Sequence, residues 1–160
     1  MPFIKDKFEY IVCSRNLRLW AKDNSSYWTV SDKYHIESVL RELIGNNNFV
    51  AIQGECVATN VQGNKYNVKE TDVYVFNLIY PNGRVGSVEA KETVTKLGMK
   101  FVPIIEECSN IPRTVNEVLD YAHGESKLYP TLREGLVFRS QDGRKSFKAV
   151  DPLFLLKHNE

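Results

Sequence analysis

A chain of 160 residues has room for one ordinary domain and not for two comfortable ones. An apolar fraction of 42% and a charged fraction of 26% are those of a chain with a packed core, which excludes wholesale disorder, and no apolar run reaches the length of a membrane span. The formal net charge of +1 excludes a bulk excess of basic charge, so any nucleic-acid groove must come from charge placement.

The opening MPFIKDKFEY has no apolar core followed by a small-residue cleavage site, so it does not read as a secretory signal. Residues 8–20 alternate and are rich in β-formers, which predicts a hairpin with Ser14, Arg15 and Asn16 near its middle. Over residues 32–44, Ile36, Val39, Leu40, Leu43 and Ile44 form one apolar stripe and predict a helix, capped by Ser31 and ended by Gly45. Residues 49–58 read as a strand, followed by a turn near Gly63 and Asn64. VYVFNLIY, at 73–80, is apolar on both faces and belongs inside a sheet; Pro81, Asn82 and Gly83 close it. A helix over 87–97 stops at Gly98, a short strand follows at 101–105, and 114–122 is a helix with a Thr114/Glu117 capping box. Strands at 135–139 and 145–150 flank the turn Gln141-Asp142-Gly143. With no repeat and no linker the chain reads as a single domain, residues 1–160. The order predicts α+β, with mostly antiparallel sheets and flanking helices.

Cys13, Cys56 and Cys108 are far apart, odd in number and without a CxxC pair, which argues against a disulfide scaffold and a zinc ribbon. Three reduced, partly buried thiols and a cytoplasmic location are expected. His35, His123 and His158 lack metal-ligand spacing and read as ordinary surface or helix residues.

Two acids share a pattern. Glu55 in AIQGECVA and Glu134 in LREGLVFR each adjoin a glycine in or at the start of an apolar strand. A charge there is costly unless it is paired or binds something. Arg139 and Lys148 are close in sequence to the second acid, and strand alternation puts Ser146 and Lys148 on one face with Phe147 on the other. Carboxylates and amines around a groove suit a metal-bound polyphosphate. Taken singly, each acid is more often a solvated edge or an ion-pair partner, Phe76 is core, and Arg15 is a turn residue.

In combination these segments resemble the covalent nucleotidyltransferase superfamily, and within it ATP-dependent RNA ligases. CSRN at 13–16 resembles the segment after the nucleophile motif, QGE at 53–55 the glycine–glutamate strand, VYVFNLI at 73–79 the strand with an aromatic near the base, EGLVFR at 134–139 the fourth motif, and SFKAV at 146–150 the fifth. The resemblance implies a nucleotidyltransferase (ATP-grasp-like ligase) domain that uses ATP, passes through AMP, and takes RNA ends or nicked RNA. Under it Arg15 and Glu55 hold the ribose, Phe76 stacks on adenine, and Glu134 supports Mg²⁺ at the α-phosphate. Lys148 contacts that phosphate beside Ser146, and Arg139 and Lys145 are further phosphate or RNA contacts. Glu134 and Lys148 are the implied catalytic pair, and no membrane association is implied.

Two departures stand out. Asn77 and Ser146 occupy positions where many relatives carry aspartate and lysine. More seriously, K-x-D-G or K-x-H-G is absent: Lys5-Asp6-Lys7 does not match, and no glycine occurs before Gly45. The domain is therefore expected to be N-terminally incomplete and inactive alone, with a chain or segment elsewhere carrying the lysine. The alternatives are an inactive nucleotide- or RNA-binding module, or a DNA ligase or capping-enzyme relative.

Overall fold

The elements in chain order are β1 (Val12–Cys13), β2 (Arg18–Leu19), α1 (Ser26–Lys33), α2 (Ile36–Leu43), β3 (Ala51–Val57), β4 (Asp72–Tyr80), β5 (Gly83–Arg84), α3 (Ser87–Lys96), α4 (Val115–Ala122), β6 (Gly135–Arg139), β7 (Ser146–Val150) and α5 (Pro152–His158). They come from a computed structural model that describes residues 7–20, 25–59, 68–107 and 110–158. The turn expected near Gly63 and Asn64, and the residues Lys5, Asp6 and Cys108, lie outside the described residues. The class is α+β, as expected, with three antiparallel sheets ordered β1-β2, β3-β4-β5 and β6-β7.

Strand β4 takes the interior place that its two apolar faces require. β3 pairs along one side and β5 along the other. A parallel bridge joins Val75 to Phe101, through Val75 N–H to the Lys100 carbonyl and Val102 N–H to the Val75 carbonyl. The strand expected over 101–105 is reduced to this bridge, because Pro103 has no N–H to continue a ladder. The core lies on one face of the sheet. Val73, Val75 and Leu78 of β4 meet Ile36 and Val39 of α2 and Ala90 and Val94 of α3, with Ile52 and Cys56 of β3 packed alongside.

The helix expected over 32–44 is two helices. His35 adopts a left-handed backbone, φ 49°, and separates α1 from α2. Ser25, not Ser31, caps the first: its hydroxyl accepts from the Trp28 N–H at 3.5 Å. Ser31 is buried and shares a 2.6 Å hydrogen bond with the Tyr10 hydroxyl. The expected hairpin over 8–20 forms, but only Val12 with Leu19 and Cys13 with Arg18 are paired in it.

At the C-terminal end the Thr114/Glu117 capping box is present in both halves. Helix α5 was not expected, being too short for its period to show. It starts on Pro152, whose fixed φ suits a first helical position, and the Asp151 carboxylate accepts from the Leu153 N–H at 2.9 Å. Strand β7 begins at Ser146, one residue later than expected. No helix among the described residues is long and apolar enough to cross a membrane.

Candidate functional site

The acid–glycine pattern has a steric cause at both places. A Cβ on Gly135, where φ is +152°, would lie 2.0 Å from the Ala149 carbonyl oxygen. The backbones of β6 and β7 therefore approach more closely than any side chain allows, and this sets Glu134 beside the ribbon. At Gly54 a Cβ would meet a Val73 methyl at 2.8 Å and the Tyr74 carbonyl at 2.9 Å.

That second contact is part of a β-bulge. Gln53 pairs with Asn77 but Gly54 pairs with Val75, so Phe76 is an extra residue in β4. Side chains alternate along a strand until a bulge interrupts them. Val75 and Leu78 both face the core. Phe76 and Asn77, between them, therefore share the opposite face. On β3, Ile52 and Cys56 pack on the core, so Gln53 and Glu55 also lie on that opposite face. The outer face of the sheet thus carries Glu55, Gln53, Phe76 and Asn77 together. Without the bulge, Asn77 would turn inward and Leu78 outward.

The β6–β7 ribbon completes the group. Phe147 stacks on Phe138, with ring centroids 4.7 Å apart, on one face of the ribbon. Lys148, aligned with Val137, lies on the other and makes an ion pair with Glu134. Both partners are close enough to Glu55 to act on it. Burial raises the Glu55 pKa above the usual glutamate range, the Glu134 carboxylate raises it further, and the Lys148 ammonium opposes both. Two carboxylates and one amine therefore converge, and a divalent cation would relieve the repulsion between the acids. Among the described residues no three His, Cys, Asp or Glu side chains group around one point. Such a cation would need phosphate oxygens and water for its remaining ligands, the mode Mg²⁺ prefers.

The other expected site residues are distributed unevenly. Arg139 is half-buried, and its Nη1 donates to the Phe76 carbonyl at 2.7 Å and reaches the Ser87 hydroxyl at 3.4 Å. Its guanidinium ties the ribbon to the bulge. Desolvation, assisted by the Arg84 charge, lowers its pKa. Ser146 is the cross-strand partner of Arg139 and is exposed. Lys145 is exposed at the ribbon turn, where its N–H donates to the Ser140 hydroxyl. Arg15 is exposed in the β1–β2 turn, and among the described residues no hydrogen bond or ion pair joins it to the acids.

Two further polar clusters escaped the sequence reading. Asp72 is 8% exposed and accepts from the Lys100 ammonium, the Tyr34 hydroxyl and the Val73 N–H. Burial by itself would raise the Asp72 pKa, but these bonds overcome it and lower the value. His123, expected as an ordinary helix or surface residue, bonds through Nδ1 to the fully buried Asp151 at 2.8 Å. Sequence spacing hides this pair, since its partners are 28 residues apart. Cys56 is half-buried as expected, but Cys13 is exposed; both are free thiols. Neither Glu55 nor Glu134 lines either of two shallow grooves. One, of about 390 Å³, runs between α4 and β7 and shares only Lys148 with the group; the other, of about 500 Å³, lies between α3 and residues 104–107.

The chain as a whole has known counterparts. The family model described as RNA ligase matches residues 1–150. The chain belongs to the RNA ligase family. Among solved structures, a variant of Naegleria gruberi RNA ligase with ATP and Mn is similar, with a TM-score of 0.86 and 28% identity over 98% of this chain and 48% of that one. A second variant of the same enzyme with ATP and Mn gives 0.83 at 30% identity, over 92% and 45%. The enzyme with PPi gives 0.80 at 26% identity, over 93% and 48%. The chain thus spans about half the length of these RNA ligases. No curated protein matches it.

Proposed function

We propose that this chain is the nucleotide- and metal-holding part of an ATP-dependent RNA ligase, which joins RNA ends through an adenylylated intermediate. The observation that carries the reading is the convergence of Glu55, Glu134 and Lys148 between the outer sheet face and the β6–β7 ribbon of an RNA ligase family member. The relatives' contents, ATP, AMP and Mn, support ATP and a divalent ion here. Hard oxygen donors accept Mg²⁺ or Mn²⁺ alike.

Nucleotidyl transfer breaks the α–β phosphoanhydride bond and releases pyrophosphate, so charge must be neutralised at the α-phosphate and the leaving group. Lys148 supplies a cation, and Glu134 holds its amine in place until phosphate arrives. A divalent ion bound through Glu134 would supply further charge neutralisation. Phe76 offers its ring to adenine and Glu55 its carboxylate to the ribose hydroxyls. Arg15 would complete the ribose contacts, and Ser146 and Lys145 line the path toward phosphate or RNA. Arg139 acts here through Phe76, as a positioning residue. The free thiols Cys13 and Cys56 support a reducing, cytoplasmic setting.

A covalent lysyl–AMP needs a K-x-D-G or K-x-H-G lysine, which these 160 residues do not contain. We infer that a further segment or a partner chain supplies it. The same observation favours a second reading, a module that binds nucleotide or RNA without transfer. Calorimetric titration with ATP and Mg²⁺ tests the shared part. Saturable binding is expected, weakened about tenfold by Phe76→Ala, or about 1.4 kcal/mol of stacking. Binding indifferent to Phe76→Ala and Glu134→Gln would sink the site. Labelled ATP separates the two readings: this chain alone forms no stable adduct, and an adduct appears on a lysine-bearing segment only if the first is right.

A further inference from the structure

The bulge in β4 brings an amide pair to the outer sheet face. The Asn77 Nδ2 donates to the Gln53 Oε1 at 2.6 Å. Gln53 is exposed, whereas Asn77 is only 6% exposed, and its Oδ1 has no hydrogen-bond partner among the described residues. A buried amide oxygen left unpaired costs about 1–3 kcal/mol, so folding alone favours an apolar residue at this place. What Asn77 does provide is direction. Because the Gln53 oxygen takes the Asn77 hydrogen, the Gln53 amine is left facing solvent, with one oxygen lone pair beside it. This donor–acceptor edge stands across the strand pair from the bulge, whose unpaired residue is the aromatic Phe76. On the same face Glu55 follows two residues along β3, about 7 Å away.

We propose that Gln53 is a specificity-determining residue that reads the edge of the nucleobase, with Asn77 as the residue that positions it. The proposal rests on the nucleotide-binding reading above. An amide of this kind meets adenine in a bidentate manner, its oxygen accepting from the exocyclic amine and its N–H donating to the neighbouring ring nitrogen. Hypoxanthine carries a carbonyl where adenine carries the amine, so its oxygen would face the Gln53 oxygen. The site therefore selects the aminopurine over the oxopurine. Asn77→Asp would reverse the device: a carboxylate only accepts, Gln53 must then donate to it, and the outward edge is inverted.

The test compares equilibrium binding of ATP and ITP, which differ in the C6 substituent and in the N1 proton that accompanies it. The wild-type chain is expected to bind ATP at least about tenfold more tightly, the equivalent of about 1.4 kcal/mol. Gln53→Leu and Asn77→Leu should each weaken ATP about tenfold, leave ITP nearly unchanged, and bring the ratio close to one. Asn77→Asp should lower the ratio, and it should also lower thermal stability because its carboxylate is buried with one oxygen unpaired. Gln53 is exposed, so its variant keeps the test valid even where Asn77→Leu fails to fold. Wild-type selectivity in Gln53→Leu, with ATP binding still sensitive to Phe76→Ala, would overturn this proposal and leave the nucleotide site standing. A wild-type chain that binds neither nucleotide would overturn both.

Discussion

Burial and the Glu134 carboxylate both raise the Glu55 pKa, so at neutral pH its ionised side chain subtracts from stability. The sign follows from linkage. An acid whose folded pKa is raised favours the fold below its unfolded value and loses that advantage as pH rises through the folded value. Glu55→Gln should therefore melt higher than wild type at pH 7, by no more than about 2 °C because the carboxylate is still partly open to solvent and screened. The gap should close as pH falls toward about 4.3, the ordinary glutamate value. The same variant should bind ATP more weakly. Melting curves across pH and one ATP titration check it, and a gap that widens with acid would refute the assignment. Glu55 and Glu134 were legible in the sequence because each adjoins a glycine that a tight backbone approach demands. Gln53 and Asn77 were not legible as a pair, since a bulge is a property of two strands in register and neither strand announces it alone.

Elements were legible where one periodicity ran unbroken. β4, α3 and α4 stand close to the ranges their patterns predict, and the Thr114/Glu117 box needed only local spacing. The helix over 32–44 misled because its apolar stripe begins at Ile36, inside α2, and the preceding turns belong to a second helix. What separates them is His35 in the left-handed region, a conformation that local sequence does not signal when the residue is not glycine. A Cβ costs about 1–2 kcal/mol there, and the added backbone freedom of glycine in the unfolded chain offsets part of that. The His35 side chain is exposed, so replacing it loses little packing. His35→Gly should raise the melting temperature by about 2 °C, and His35→Val, with a branched Cβ, should lower it by more. A drop with glycine would show that the imidazole holds the α1–α2 junction through contacts and that backbone strain is not the governing factor.

At the scale of the whole molecule the candidate site belongs to no single sheet. Glu55, Phe76 and Gln53 stand on the β3–β4 face, and Glu134 and Lys148 stand on the β6–β7 ribbon, so the site exists only while the two are docked. Some of the docking contacts are tight. The ribbon turn presses on the chain beyond β5, where a Cβ on Gly86 would lie 2.4 Å from the Gln141 carbonyl, and Arg139 reaches across to the Phe76 carbonyl. This gives Arg139 a role distinguishable from direct phosphate contact. Arg139→Met removes the donor and leaves the Phe76 carbonyl unpaired, a loss of about 1–3 kcal/mol. If Arg139 positions the ribbon, the melting temperature falls and ATP binding weakens, while the salt dependence of that binding stays as in wild type. If its guanidinium instead meets phosphate, the salt dependence flattens, because one neutralised charge has been lost, and stability changes little. Lys148→Met provides the contrast: that exposed amine contributes little to the fold, so its loss should weaken ATP binding and flatten the salt dependence with the melting temperature nearly unchanged. Measuring both variants at two salt concentrations separates a residue that brings the halves of the site together from one that touches what the site holds.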